Sequence, residues 1–265
     1  MCGIAGYVDL QQEEPIDQQT LATMSATIRH RGPDAVGYWL DETVGLGFRR
    51  LSIIDLAGGD QPIQNEDGSL VLLCNGEIYN HQALRRELLA QGHCFRTQSD
   101  VEVLLHLYEE YGLDLFDRLN GQFAFVLYDR RQRRLLLARD QLGIAPLYYT
   151  QAGPYLIFAS EIKAILAHPA APRRLDLTGL DQLLSLPGLV SPRTMFQGIH
   201  SLPNGHYLLV QEGRYTIHEY WDLHYPEAGA GYDNRSEAEY IDELRHHLLQ
   251  AVRYRLQADV PVGFY

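Results

Sequence analysis

Cys2 is the residue whose type and place could do the most chemistry. Once the initiator Met1 is removed, one residue carries both a thiol nucleophile and a free α-amine. An α-amine titrates at about 7.7–8.0, far below a lysine, so near neutrality it can act as a base for the thiol beside it. Gly3 and Gly6 leave room next to that thiol, and Ile4, Tyr7 and Val8 have the pattern of a strand that would hold it. The same cysteine could instead be a small apolar residue at the start of that strand. Asn75-Gly76 reads either as a tight turn or as a side-chain amide and a backbone N–H offered to a developing oxyanion. Asp100 stands in a first helical turn, where a carboxylate suits the helix dipole; it could equally meet a substrate ammonium. His30-Arg31-Gly32-Pro33-Asp34 is either the turn that ends a helix or a loop that shapes a pocket. Arg50, read by itself, is a solvated surface arginine.

These residues need a frame, and the hydrophobic pattern predicts one. A helix capped by Asp17 or Thr20 runs through His30, with Leu21, Met24 and Ile28 on one face. Strands follow at 38–40 and 44–54, then a short buried strand at 70–74 that stops at Asn75. Asn80 caps the next helix, and Gly92 ends it. Ser99-Asp100-Val101-Glu102 has the spacing of a capping box. Val101, Leu104, Leu105 and Tyr108 then mark the apolar face of a helix that reaches Gly112. A hairpin joins 122–129 to 135–139. Strands at 148–150 and 156–159, short helices at 161–166 and 178–186, and a hairpin of 206–211 with 215–219 follow. Residues 221–235, rich in Gly, Pro, Asp and Tyr, read as a linker. Ser236-Glu237-Ala238-Glu239 is a second capping box. It opens a helix with Ile241, Leu244, Leu248, Val252 and Leu256 on one side, and an apolar strand begins at Val260.

Bulk properties narrow the function. A chain of 265 residues is long enough for a sizeable core. Its formal net charge of −12, from 34 acidic and 22 basic residues, argues against nucleic acid or an anionic membrane as partner. No apolar run approaches the roughly 18 residues of a membrane span, and no secretory leader is visible. Three cysteines, Cys2, Cys74 and Cys94, form no disulfide framework and suit a reducing cytoplasm. The histidines show no H-x-x-x-H spacing around an acid, so no metal site is expected.

The order of the motifs resembles that of the glutamine-dependent asparagine synthetases. The resemblance rests on Cys2-Gly3-Ile4-Ala5-Gly6, His30-Arg31-Gly32-Pro33-Asp34, Arg50-Leu51-Ser52-Ile53, Asn75-Gly76-Glu77-Ile78-Tyr79-Asn80 and Ser99-Asp100. It extends through Leu119-Asn120-Gly121-Gln122-Phe123-Ala124-Phe125, Arg139-Asp140-Gln141-Leu142-Gly143 and Ala159-Ser160-Glu161-Ile162-Lys163. It implies an α+β fold, the four-layer αββα sandwich of N-terminal-nucleophile (Ntn) hydrolases, as a glutaminase domain over residues 1–220. By the same resemblance Cys2 attacks the side-chain amide of glutamine while its α-amine shuttles the proton. Asn75 and Gly76 would form the oxyanion hole, Arg50 would take the α-carboxylate and Asp100 the α-ammonium. Glu77 would orient the leaving amide, and the backbone around Leu51, Ile53 and Ile54 would line the pocket.

The resemblance also bears on the rest of the chain. Residues 236–265 would be the first helix and strand of an α/β synthetase domain whose pyrophosphate loop, Ser-Gly-Gly-x-Asp-Ser, is absent here. No cofactor is therefore expected in this chain; ATP and Mg would belong to that missing domain, the ammonia-accepting partner. A homodimer is possible within such a family. Two other readings compete: an amidotransferase module serving another acceptor, and a non-catalytic relative that binds glutamine as a sensor or scaffold. An intact Cys2, Asn75 and Asp100 argue against the second.

Overall fold

In the computed structural model, which describes residues 1–227 and 235–263, the N-terminal run is β1 (Gly3–Asp9), buried along its whole length. Period-2 alternation sends Ile4 and Val8 to one face and Ala5 and Tyr7 to the other. β1 lies between β3 (Val44–Arg50) and β9 (Tyr155–Ala159). With β2 (Ala35–Leu40), β8 (Tyr148–Ala152) and β10 (His200–Ser201) these make an antiparallel sheet in the order β10-β8-β9-β1-β3-β2. The second sheet holds β4 (Ile63–Gln64), β5 (Leu70–Ile78), β6 (Gly121–Asp129), β7 (Arg134–Arg139), β11 (His206–Gln211) and β12 (Arg214–Glu219). Its order is β12-β11-β7-β6-β5-β4, again antiparallel throughout.

The two sheets bury their facing sides against each other, Ile4, Leu46 and Phe48 from the first meeting Val71, Leu73, Val126 and Leu137 from the second. Helices cover the outer faces. α1 (Gln18–Thr27) and α4 (Ile162–Leu166) bring Leu21, Met24 and Ile165 onto Ala5, Tyr7 and Ile157. On the other side α2 (His81–Gln91) and α3 (Val103–Tyr111) bring Leu84, Leu88, Leu104 and Leu107 onto Leu72, Phe123 and Phe125. The result is helix–sheet–sheet–helix. α5 (Leu177–Ser185) and α6 (Glu237–Arg255) follow, and no residue of α6 is buried.

Several local expectations are corrected. α1 stops at Thr27, and Arg29–Arg31 forms a separate 3-10 turn before Gly32. β3 ends at Arg50 rather than residue 54, because Leu51–Ile54 turns away to line the pocket described below. Asn75-Gly76 is no turn: β5 continues to Ile78, with β6 paired against it residue for residue from Leu70 to Ile78. Nine cross-strand pairs outweigh the local turn preference of Asn-Gly. Asn80 sits at the N-cap of α2 without capping; its amide donates to Arg118 O at 2.8 Å and its oxygen accepts from Asn120 N–H at 3.1 Å. The Ser99–Glu102 box does not close. Glu102 instead accepts the Arg96 and Thr97 N–H groups at 2.7 and 2.8 Å, leaving Asp100–Glu102 as a 3-10 turn. Val260–Gly263 forms no strand, and residues 264–265 lie outside the described residues, as does 228–234 of the expected linker. By contrast Gly92 adopts φ 105°, the left-handed C-cap that suits glycine, and the Ser236–Glu239 capping box is fully formed.

Candidate active site

β1 and β3 bring the thiol to its place. Gly3 pairs with Arg49, so Cys2 emerges where β3 gives way to Leu51. The Leu51 N–H points at Cys2 Sγ from 3.3 Å, and the thiol faces Leu51 O at 3.5 Å. Burial pushes this thiol above its ordinary range; the Leu51 N–H, the Met1 amine, Arg50 and Arg31 pull the other way. The His30–Asp34 pentad serves the same point. Arg31 Nε donates to Cys2 O at 2.8 Å, and Glu161 holds the guanidinium at 3.1 Å. Gly32 packs flat on β3, where a Cβ would stand 2.3 Å from the Arg49 carbonyl. Asp34 accepts the Ser52 N–H at 2.8 Å. The pentad thus closes the 3-10 turn that follows α1 and braces the nucleophile's backbone.

Cys2, Arg50, Leu51, Ile53, Ile54, Asn75, Gly76, Glu77 and Asp100 line one pocket. Sequence positions up to 98 residues apart meet there because the start of β1 and the free edge of β5 lie at the same end of the two sheets. Phe123 sends both its N–H and its C=O to Asp140, so the Gly76–Phe123 pair carries no ladder bonds and the Gly76 N–H faces away from β6. β4 does not reach that far. Side chains take its place on either side: Gln61 holds Cys74 N–H and C=O at 2.6 and 3.1 Å, and Asp100 accepts the Ile78 N–H at 2.8 Å. Gly76 lies between them on the same edge, its N–H toward the pocket. Its Cβ would meet Gln122 O at 2.2 Å, so only glycine fits. Beside it Asn75 is buried, and its Nδ2 has no hydrogen-bond partner. A buried unpaired amide donor costs about 1–3 kcal/mol and calls for an acceptor that comes and goes.

Two charges flank these donors. Arg50, read from sequence as a solvated cation, is only 5% exposed. Its Nη1 donates to Leu56 O at 3.2 Å and Asp60 at 2.8 Å, and its Nη2 to Ile54 O at 3.2 Å and to Asp55 O. It therefore braces the loop as well as charging the pocket. Asp100 is equally buried; loss of hydration pushes its carboxyl up to about 7, against the pull of the Ile78 N–H. Glu77 is half-buried and also raised, chiefly by burial, with Arg255 and the Met1 amine lowering it.

Gln61 and Asp140 complete this frame; neither is among the site residues expected from sequence, although Asp140 stands in the Arg139–Gly143 motif. Gln61 acts as a one-residue strand on the β5 edge. Asp140 accepts from Phe123, Leu142, Ile144 and Ala145 N–H groups and so shapes the loop that brings Ile144 and Ala145 to the pocket. Their signal is a fold that leaves backbone groups unpaired. Elsewhere, Glu66, His93 and His106 stand with ligand atoms within 4.8 Å. Glu109 already takes the His106 Nδ1 at 2.9 Å, and a metal on that nitrogen would leave a proton on the buried Nε2, which has no acceptor. Among the described residues no helix is long and apolar enough to cross a membrane.

Over 265 residues the chain is 38% identical to asparagine synthetase [glutamine-hydrolyzing] 3 of Bacillus subtilis, covering 99% of this chain and 42% of that one. It is 39% identical to amidase chyE of Penicillium rubens, covering 100% of this chain and 40% of the relative. The chain thus spans about two fifths of the curated relatives it matches. The fold is similar to that of glutamine phosphoribosylpyrophosphate amidotransferase from B. subtilis, with a TM-score of 0.62 over 83% of this chain and 49% of that one. At 18% identity this likeness concerns the fold alone. The model of the glutamine amidotransferase domain matches residues 1–221, which include every pocket residue named above; on that match the chain belongs to the glutamine amidotransferase domain family, homologous to the N-terminal part of the glutamine-hydrolysing asparagine synthetases.

Proposed function

We propose that this chain hydrolyses glutamine to glutamate and ammonia through a Cys2 thioester, and that the ammonia feeds ATP-dependent formation of asparagine from aspartate. The observation that carries the reading is the unpartnered Asn75 Nδ2, buried in the same pocket as the thiol, a buried cation and a buried carboxylate. With Met1 removed, the Cys2 α-amine takes the thiol proton as sulfur attacks the amide carbon. Asn75 Nδ2 and the Gly76 N–H receive the oxyanion. The amine returns the proton to the leaving nitrogen, which departs as ammonia, and water then cleaves the thioester to glutamate and the free thiol. Glu77 orients the leaving amide. Arg50 and Asp100 hold the α-carboxylate and α-ammonium. The test is intact mass together with ammonia release on the purified chain: an unprocessed Met1 should coincide with silence, a free Cys2 with turnover.

Asp100 sets an expected pH dependence. Its carboxyl, raised to about 7, is protonated below that pH and then no longer attracts an ammonium. Glutamine affinity, measured by calorimetry on an inert Cys2→Ala background, should fall as pH drops through 7, and Asp100→Asn should flatten the profile. At pH 8, Asp100→Asn and Arg50→Ala should each raise KM about ten- to a hundredfold, the scale of one charge-assisted hydrogen bond of about 1.5–3 kcal/mol. Arg50→Ala should also lower Tm, because the loop loses its brace.

Residues 1–220 are assigned to the Ntn-type glutaminase domain, 221–235 to a linker and 236–265 to the start of a synthetase domain. The apolar stripe of α6, with Ile241, Leu244, Leu248 and Val252 between 48% and 60% exposed, suits burial against further chain. ATP and Mg would act there, and the glutaminase part calls for no cofactor. The net charge speaks against nucleic acid and anionic membrane as partners, and the three free cysteines suit the cytoplasm. A homodimer is compatible with the reading. The second reading, a module serving a different nitrogen acceptor, rests on one observation: a relative named as an amidase is as similar to this chain as an asparagine synthetase is.

A further inference from the structure

Asp259 lies outside the matched family domain, yet it grips the wall of the pocket. Its carboxylate accepts the Asp55 N–H at 2.7 Å, and its own N–H donates to Ile53 O at 2.9 Å. Asp55 has φ 53°, a left-handed conformation that a non-glycine residue holds only when its surroundings impose it. Its side chain is pinned by Gly58 N–H at 2.9 Å and Gln98 N–H at 2.7 Å, and its carbonyl accepts from Arg50 Nη2. Asp259 supplies the bond on the remaining backbone group, the N–H. Two residues earlier, Gln257 Nε2 donates to Tyr79 O at 3.0 Å, two positions beyond Glu77 on the opposite wall. The segment therefore ties both rims of the pocket to the C-terminal part of the chain.

We infer that Asp259 is a positioning residue: by fixing the Asp55 peptide it holds the Ile53–Asp55 carbonyls, and through them the Arg50 guanidinium, in the arrangement that receives the substrate carboxylate. This rests on the glutaminase reading. The bond needs an acceptor oxygen and no charge, so Asp259→Asn should keep it and Asp259→Ala should lose it. On the full chain, Asp259→Ala should raise KM for glutamine about tenfold, with kcat within about threefold, because the thiol and the oxyanion donors are untouched. Asp259→Asn should restore KM to within about twofold. Hydrogen exchange of the Asp55 amide, followed in the same variants without substrate, should speed up at least about tenfold in Asp259→Ala and stay slow in Asp259→Asn. Unchanged exchange in Asp259→Ala, or faster exchange with an unchanged KM, overturns the inference. If the unmodified, Met1-processed chain releases no ammonia, it is the glutaminase reading that fails, and exchange alone then decides the clamp.

Discussion

Cys2→Ala should abolish ammonia release from glutamine, with a loss of at least about a thousandfold, and should leave the protein folded. A nucleophile that forms the covalent intermediate has no substitute in this pocket: Cys74, which also lines it, spends its backbone on Gln61, and complete burial pushes its thiol far above the thiolate range. Cys2 is half-buried and contributes one small side chain at the rim of the inter-sheet core, so Tm should shift by little. Glutamine binding should survive, since Arg50 and Asp100 remain. A turnover in the alanine variant comparable with the parent would sink the thioester mechanism. The companion result concerns Met1. With Met1 retained, the Cys2 nitrogen is an amide and cannot take a proton, so a chain whose mass includes Met1 should be inactive although its thiol titrates normally with a thiol reagent.

Asn75→Ala should lower kcat by about 10²–10³ while KM moves by less than about threefold. The amide donor is aimed at charge that exists only in the transition state, so its removal leaves ground-state binding nearly intact. The resting pocket gives Nδ2 no partner, so the substitution takes away a buried unsatisfied donor, and Tm should hold or rise. That pairing of lost rate with unharmed stability separates an oxyanion donor from a structural asparagine. Asn75→Asp should be worse than alanine, because it sets a carboxylate where negative charge develops. A kcat within a few-fold of the parent, or a large fall in Tm, would reassign Asn75 to the core. Michaelis kinetics and thermal melts on the same preparations decide between the two.

Much of this site was legible in the chain itself. A thiol beside a removable methionine carries its chemistry locally, because nucleophile and base belong to one residue. The helices over α1, α2, α3 and α6 and the strands of both sheets other than the two-residue β4 and β10 follow from periodicities that survive burial, and Gly92 and Ser236 work as caps through bonds a few residues long. What the residues could not settle locally was which of two readings held wherever a side chain could serve either its own backbone or a distant group. Asn75-Gly76 stays in β5 because β6 pairs with the strand on both sides of Gly76, and that placement turns an expected tight turn into a donor pair facing the pocket. Ser99–Glu102 gives up its capping box because Asp100 finds the Ile78 N–H and Glu102 the Arg96–Thr97 backbone. Arg50 becomes buried because the loop after β3 folds its carbonyls around the guanidinium. Gln61 and Asp259 had no local signal at all. Each answers a backbone group that lacks a backbone partner only once the sheet edge and the pocket loop exist, which is a property of the tertiary structure, since in the unfolded chain water satisfies every such group.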